Sequence, residues 1–249
     1  LPASLLRYAP FRSLPDNINV HAVSINRKDI DCVPQNKNVT KFNYTWTESA
    51  YSADTGALEI SEPRPEGNIA FKAGSPGMVS NLALVVHTAL HLGVPLSTLE
   101  ACLEGWRPFR HRGETYRLGD CTYYVDCYNA NPGSLLDSVE RFKNLFAGQP
   151  QLYVLGSMNE LGAESARWHR ETAEKLDLPG NARVFLMGHG ADDMRKGLEA
   201  AGSREGEVRA VTGLEPVRAC LDTFSGAVYL KASRSHALES LLPEGAERC

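Results

Sequence analysis

The strongest constraint on the fold is a regular alternation of short apolar segments and amphipathic segments between residues 115 and 231. Apolar runs such as Leu152–Leu155 and Arg183–Met187 have the length of buried strands, and the segments between them carry apolar residues at helical spacing. Strands that alternate with helices in this order form βαβ units around a parallel sheet. The sequence therefore predicts an α/β fold with a Rossmann-like, doubly wound and mostly parallel sheet.

The predicted elements of this region begin with a hairpin, whose strands are 115–118 and 122–126, and with a helix that starts at Pro132. Further strands are expected at 152–155, 183–187, 207–211 and 227–231, and further helices near 164–176, 192–201, 214–223 and 236–242. Ligands of such sheets bind beyond the carboxyl ends of the strands. The polar residues that follow each strand are therefore the candidates for a functional site.

The part of the chain before about Gly74 has a different character. It is rich in Asn, Thr, Ser and Pro, and it contains short candidate strands at 39–46, 57–60 and 69–71. A helix is predicted next, with one apolar face made of Leu82, Val85, Val86, Ala89 and Leu90. The Arg-, His- and Pro-rich segment Trp106–Gly113 has no apolar periodicity, and we expect the domain junction there. The predicted domains are residues 1–110 and residues 111–249.

Composition and charge exclude several classes of function. Lys and Arg number 26 against 30 Asp and Glu, which leaves a net charge of −4 and no electrostatic driver for general nucleic-acid binding. The most apolar stretch, Leu82–Val94, is interrupted by His87 and His91 and is shorter than the roughly 20 residues that a membrane span needs. We therefore expect neither a nucleic-acid partner nor a membrane span, while a local patch could still bind a nucleotide.

The cysteines indicate a reducing compartment. Six are spread along the chain without a CxxC motif, which favours free thiols of a cytoplasmic protein over zinc ligands or disulfides. No metal site is predicted from the sequence. The chain begins without Met and without a signal peptide, so we expect a fragment of a cytoplasmic protein.

The densest group of polar residues lies between the predicted strand 122–126 and the helix that follows it. Asn131 and Pro132 suit the N-cap and the first helical position, so simple capping explains these two residues. Asp126 and Asn129 point instead to a nucleotide, because a carboxylate at the end of a strand can accept bonds from two ribose hydroxyls and an amide can pair with an adenine edge. Both interpretations stay open at this point.

Three further groups of polar residues carry weaker signals. Arg112, beside His111 at the expected junction, is suited to a phosphate but equally to a solvated linker. The loop Gly156–Gly162, followed by Ser165 and His169, fits a substrate-facing loop or a plain connection. Lys231–Ser235, after the last predicted strand, fits an anionic ligand or an ordinary charged surface.

Several catalytic motifs are missing from the sequence. The chain has no Gly-Lys pair and therefore no P-loop of the GxxxxGK[ST] type. Gly188-His189-Gly190 lacks the third glycine of a dinucleotide fingerprint, because Asp193 stands in that place. No GxSxG elbow is present either, so covalent hydrolase chemistry has no support.

Three runs of residues resemble one known family. They are YVDCYNANPGSLLDSVERF at 124–142, YVLGSMNELGAESARWH at 153–169 and VYLKASRS at 228–235. Together they closely resemble the carboxyl-terminal domain of the Mur ligases. Within that family they are most similar to the MurF type, which joins D-alanyl-D-alanine to UDP-N-acetylmuramoyl-tripeptide. The resemblance extends from about Gly74 to Leu242 and is weak before that.

The resemblance implies a three-domain, ATP- and Mg²⁺-dependent amide-bond ligase of peptidoglycan precursor synthesis. This chain would hold the last part of the central ATPase domain and the whole carboxyl-terminal domain. The P-loop and the metal ligands would lie outside it, so the chain alone is expected to be inactive and to carry no catalytic residue of its own. Its partners would be the muramoyl tripeptide, D-alanyl-D-alanine and the missing part of the same protein.

The family's binding residues carry over to positions in two groups. The residues implied for the nucleotide are Asn81, His111, Arg112, Asp126, Tyr128, Asn129 and Asn131. The residues implied for the D-alanyl-D-alanine side are Ser157, Asn159, Glu160, His169, Lys231, Ser233 and Arg234. Departures from the family pattern occur at Gly77-Met78, at Ser157 and at Ala232. Another Mur-type ligase with a different acceptor, or a stand-alone binding module, remain the alternatives.

Overall fold

The computed structural model describes residues 20–24, 44–52, 57–60, 67–70, 76–104, 106–107, 109–202 and 208–249. The chain divides into two compact units, Leu1–Trp106 and Arg107–Cys249. The division falls inside the Arg-, His- and Pro-rich segment. None of the helices in the described ranges combines the length and the apolar character that a bilayer crossing requires.

The described residues of the first unit form a four-stranded sheet followed by two helices. The strands are β1 (Val20–Ser24), β2 (Tyr44–Ser52), β3 (Ala57–Ile60) and β4 (Gly67–Ala70), and they pair in that order. The helices are α1 (Pro76–His91) and α2 (Leu96–Glu104). The predicted strand 57–60 is found as such, whereas residues 39–43 of another predicted strand lie outside the described residues.

One residue of the predicted apolar helix face was assigned wrongly. Leu82, Ala83 and Val86 of α1 are buried together with Leu99 of α2. Val85, which we expected on the same face, is 59% exposed. Helical spacing alone could not separate Val85 from Val86, because adjacent residues lie about 100° apart and either one can form the edge of an apolar stripe.

The second unit is the predicted α/β domain, built around a seven-stranded sheet. Its elements are β5 (Glu114–Leu118), β6 (Cys121–Val125), α3 (Pro132–Leu145), β7 (Gln151–Gly156), α4 (Ser165–Glu174), β8 (Arg183–Met187), α5 (Ala191–Ala200), β9 (Val208–Val211), α6 (Glu215–Leu221), β10 (Gly226–Lys231) and β11 (Glu247–Arg248). The order in the sheet is β11-β5-β6-β10-β7-β8-β9. The five strands from β6 to β9 are mutually parallel, while β5 and β11 add an antiparallel edge.

Both faces of the sheet are covered, which explains why its central strands read as continuous apolar runs. Every residue of β7 and of β10 is buried. Tyr153 and Leu155 of β7 pack with α3, α4 and α5, whereas Leu152 and Val154 pack with α6 on the other face. Successive side chains of a strand point to opposite faces, so an apolar run without alternation is what a doubly covered strand requires.

The carboxyl-terminal segment departs from the prediction. In place of one short helix at 236–242, two 3₁₀ turns form at Arg234–His236 and Leu238–Leu241. Between them Ala237 has a φ of 48°, a left-handed conformation that interrupts helical hydrogen bonding. The edge strand β11 was not predicted, because two exposed residues carry no readable pattern.

The strand order places a crevice beside β10. The chain runs from β6 through α3 to β7, continues to β8 and β9, and then returns to insert β10 between β6 and β7. Helix α3, after β6, packs on one face of the sheet, and the turn Leu238–Leu241, after β10, packs on the other. Ligands of open α/β sheets bind where connections diverge in this way. The carboxyl ends of β6 and β10 therefore define the candidate site.

Candidate functional site

A buried ion pair lies at the bottom of this crevice. Asp126 follows β6 directly and Lys231 is the last residue of β10, and their atoms Oδ2 and Nζ are 2.7 Å apart. The ammonium also donates to the carbonyl oxygens of Asn129 at 3.0 Å and of Asp126 at 3.3 Å. The Lys231 side chain is 2% exposed and that of Asp126 is 17% exposed. The carboxylate is therefore the part of the pair that a ligand can reach.

Two opposing effects act on the Asp126 carboxyl. Burial raises its pKa above the ordinary value, because the charged form loses solvation. The ammonium of Lys231 is the largest opposing influence, and Ser138 and Arg112 also favour the charged form. The charge of Asp126 thus depends on its partner in β10.

An exposed aromatic ring and a guanidinium lie next to this carboxylate in the chain. The guanidinium carbon of Arg112 lies 4.0 Å from the centroid of the Tyr128 ring, and Tyr128 is 41% exposed. The backbone N–H of Tyr128 donates to the carbonyl of His111 at 3.0 Å, which ties the two loops together. A ring and a cation that share one exposed surface can stack on a base and pair with a phosphate.

The two asparagines that follow have different roles in the structure. The Oδ1 atom of Asn131 accepts from the backbone N–H of Ser134 at 2.9 Å, and the Ser134 hydroxyl accepts from the Asn131 N–H at 3.2 Å. The capping interpretation of Asn131 and Pro132 is confirmed, since this is a complete capping box with Pro132 at the start of α3. Asn129 is exposed, and its Oδ1 accepts from the N–H of Ala130 at 2.8 Å.

The loop after β7 is tied down by buried hydroxyls. Ser157 is fully buried; its hydroxyl accepts from the N–H of Gly190 at 2.9 Å and donates to the carbonyl of Met187 at 3.2 Å. Ser233 is 2% exposed, accepts from the N–H of Asn159 at 2.7 Å and donates to Oδ1 of Asn129 at 3.4 Å. Both serines therefore connect strand ends and do not face the surface.

His169, on α4, accepts a hydrogen bond from the same loop. It is fully buried, and its Nε2 atom accepts from the N–H of Met158 at 2.8 Å while Nδ1 donates to the carbonyl of Ser165 at 2.8 Å. This pattern requires a neutral imidazole with the proton on Nδ1. Burial lowers the pKa of His169, which agrees with that neutral form.

The surface of this region is formed by other members of the predicted dipeptide group. Arg234 has a side chain that is 56% exposed, and Glu160 is exposed with a left-handed φ of 65°. Asn159 is half-buried, and its amide donates to the Ser235 hydroxyl at 3.0 Å. Lys231, Ser157, Ser233 and His169, by contrast, are buried.

One cluster of possible metal ligands occurs among the described residues, and the guanidinium of Arg234 is bonded to two of its members. Ligand atoms of His111, Cys127 and Glu239 lie within 4.8 Å of one another. Arg234 Nη1 lies 2.7 Å from His111 Nδ1 and 3.1 Å from Glu239 Oε1. The Cys127 thiol donates to Glu239 at 3.5 Å, and burial raises the pKa of Cys127 to about 12. The cluster is thus a closed hydrogen-bond network with a protonated thiol, and its soft donors do not suit Mg²⁺.

Sequence reasoning identified most residues of the crevice but not all of its contacts. Asn81 is exposed on α1 and belongs to the first unit, whereas the other predicted residues belong to the second. Glu239 was not predicted, because it stands in a segment without a strand end or a motif. The only available signal was its position five residues after Arg234, which was itself a candidate.

Comparison with known proteins gives a consistent result. Residues 111–230 match the family model described as Mur ligase, glutamate ligase domain. The chain is 30% identical over 176 residues to the UDP-N-acetylmuramoyl-tripeptide–D-alanyl-D-alanine ligase of Treponema pallidum, which covers 68% of the chain and 37% of that relative. It is 25% identical over 235 residues to the Escherichia coli enzyme of the same name, which covers 93% of the chain and 48% of that relative. The chain thus spans less than half the length of both relatives.

Solved structures share the fold. A MurF structure from Acinetobacter baumannii superposes with a TM-score of 0.64 at 17% identity, covering 92% of this chain and 51% of the other. MurF ligase from Thermotoga maritima in complex with ADP superposes with a TM-score of 0.61 at 21% identity, covering 90% of this chain and 52% of the other. At these identities the likeness extends to the fold alone.

Proposed function

We propose that this chain, which belongs to the Mur ligase family through its glutamate ligase domain at residues 111–230, is the carboxyl-terminal part of an ATP-dependent amide-bond ligase. The proposed reaction joins D-alanyl-D-alanine to UDP-N-acetylmuramoyl-tripeptide in peptidoglycan precursor synthesis. Two curated relatives with this activity in their names, at 30% and 25% identity, support the choice of substrates. Residues 1–110 would be the remainder of the central ATPase domain.

The observation that carries the proposal is the surface around the end of β6. A partly exposed carboxylate, Asp126, is followed by the exposed Tyr128 and Asn129, and the Arg112 guanidinium lies on the Tyr128 ring. These side chains match the three parts of a nucleotide: hydroxyls for the carboxylate, a base for the ring and the amide, and phosphate for the guanidinium. His111 holds this surface through its contact with Tyr128.

The role of this domain in the reaction would be positioning. In such a ligase, ATP supplies the phosphoryl group that activates a carboxylate toward an amine. Asp126 would hold the ribose and Arg112 a phosphate. The exposed Arg234 and Glu160 and the half-buried Asn159 would offer polar groups to a zwitterionic dipeptide on the other side of β10. Mg²⁺ enters the proposal only as the metal that accompanies ATP in the family, and no described residue is assigned to it.

The proposal extends to the cytoplasm as the site of action. Five cysteines among the described residues are free thiols, which supports a reducing compartment.

Phosphate release by the longest product of the gene tests the proposal. We expect release that requires ATP, the muramoyl tripeptide and D-alanyl-D-alanine together, and an Asp126→Ala variant should raise the KM for ATP. Release that is stimulated by a single amino acid and not by the dipeptide would favour another Mur-type ligase. The absence of release with every acceptor would favour the binding-module alternative.

A further inference from the structure

Lys231 uses all of its hydrogen-bonding capacity on the loop that follows β6. Its three ammonium protons have three acceptors: Oδ2 of Asp126 at 2.7 Å, the Asn129 carbonyl at 3.0 Å and the Asp126 carbonyl at 3.3 Å. The side chain is 2% exposed. An ammonium with three acceptors and almost no exposure has no donor left for a ligand.

The side chain of Lys231 points from β10 toward the end of β6. It pairs with Leu155 of β7 in the backbone register, yet its side chain reaches the opposite neighbour, the end of β6. The resemblance placed Lys231 on the dipeptide side of the crevice. The contacts place its charge on the nucleotide side, beneath the residues that follow Asp126.

The segment from Asp126 to Asn129 folds around the ammonium. Two backbone carbonyls of this segment and the Asp126 carboxylate converge on a single Nζ atom. Tyr128 lies between the two residues whose carbonyl oxygens accept these hydrogen bonds, and it is left exposed. The orientation of the carboxylate and the course of the backbone are therefore fixed by the same side chain.

We propose that Lys231 is a positioning residue for the ribose of the bound nucleotide. Its buried ammonium holds the Asp126 carboxylate in an orientation in which the remaining oxygen lone pairs accept hydrogen bonds from the two ribose hydroxyls. This inference rests on the proposed function, because it presupposes a nucleotide at Asp126. It assigns Lys231 no contact with either substrate.

A purely structural ion pair would have a different signature. If Lys231 only stabilised the fold, its loss would weaken the binding of every nucleotide to the same extent. If it positions Asp126 for the ribose, its loss would also remove the contribution of the ribose hydroxyls, and nucleotides with these hydroxyls would lose more affinity than nucleotides without them. A nucleotide without these hydroxyls separates the two cases.

The experiment is an NMR titration of the 249-residue chain with ATP and with 2′,3′-dideoxy-ATP, in the wild type and in Lys231→Met. We expect the wild type to bind ATP at least about tenfold more tightly than the dideoxy compound, since about tenfold corresponds to one hydrogen bond to a charged group at the low end of its usual range. Lys231→Met should lose this preference, so its affinity for ATP should fall by a larger factor than its affinity for 2′,3′-dideoxy-ATP. Asp126→Asn should lose the same preference, and the double variant should lose no more than either single one.

Three results would overturn the inference. An equal loss of affinity for both nucleotides in Lys231→Met would make the pair purely structural. A wild type that binds both nucleotides equally would remove the ribose contact while leaving the nucleotide site in place. A wild type that binds neither nucleotide would remove the proposed nucleotide site itself. If Lys231→Met does not fold, Lys231→Gln, whose neutral amide keeps two N–H donors, takes its place under the same criteria.

Discussion

The Nζ atom of Lys231 lies 2.7 Å from Oδ2 of Asp126, although 105 residues separate them in the chain. The pair joins the carboxyl ends of two neighbouring parallel strands, β10 and β6. Because both side chains are largely buried, each charge depends on the other for compensation. The candidate nucleotide surface is therefore linked to the strand order of the sheet.

Removing one partner of this pair should cost stability. Asp126→Ala leaves the Lys231 ammonium buried without a counter-charge, and we expect the free energy of unfolding to fall by about 3–5 kcal/mol. The double variant Asp126→Leu with Lys231→Met replaces both charges with apolar groups. Its loss of unfolding free energy should be smaller than the sum of the losses of the single variants Asp126→Leu and Lys231→Met. Urea unfolding measures both. An additive double variant would show that the pair is not coupled.

The ring of Tyr128 should contribute to nucleotide affinity by stacking. Tyr128→Ala should weaken ATP binding by about 1–3 kcal/mol, the range for base–aromatic stacking, because it removes an exposed ring. Tyr128→Phe keeps the ring and is the matched control, with affinity close to that of the wild type. Isothermal titration calorimetry provides the measurement. Equal losses in both variants would assign the contribution to the hydroxyl group.

Gly190 should not tolerate a side chain. A Cβ atom there would lie 2.2 Å from Cδ2 and 2.3 Å from Nε2 of the buried His169. Gly190→Ala should therefore lower the free energy of unfolding by about 1–3 kcal/mol and disturb the bond from Met158 to His169. Gly180→Ala is the control, because no atom lies within 4 Å of its Cβ position. Equal stability of the two variants in urea would contradict the prediction.

The buried His169 should make the protein less stable in mild acid. Burial lowers its pKa below the ordinary 6.5, so the unfolded chain binds more protons than the folded chain below that pH. The free energy of unfolding should fall as the pH drops from 6.5 toward the folded pKa, and His169→Gln should show a shallower decline. Urea unfolding at several pH values from 6.5 downward measures this decline, and the variant His91→Gln, at an exposed histidine, is the control. A slope unchanged in His169→Gln would refute it.

Phe142 should be the most sensitive position of α3. It is fully buried, and its ring lies 5.0 to 6.0 Å from those of Tyr124, Phe146, Tyr153 and Tyr229. Phe142→Ala should cost about 3–5 kcal/mol of unfolding free energy. Leu145→Ala on the same helix, at a residue that is 53% exposed, should cost about 0.5 kcal/mol or less. Thermal unfolding of the two variants measures both losses of unfolding free energy. Losses of similar size would contradict the prediction.

Local features of the second unit could be predicted from the sequence with good accuracy. The strand Arg183–Met187 and the start of α3 at Pro132 are found as predicted. The capping box of Asn131 and Ser134 is a contact between residues three apart, so the chain needs no distant partner to form it. The two 3₁₀ turns near Leu238 could not be predicted in this way, because each spans only three or four residues.

The alternation of strands and helices, the caps and the family resemblance can be read from the sequence alone, because each of these is encoded by residues that are near one another in the chain. The insertion of β10 between β6 and β7, which brings Lys231 to Asp126, is visible only in the three-dimensional structure. The tertiary structure also buries Ser157, His169 and Ser233 and leaves Tyr128 and Arg234 exposed. Strand pairing between distant segments has no local signal, since it depends on which buried faces fit together after the chain has collapsed.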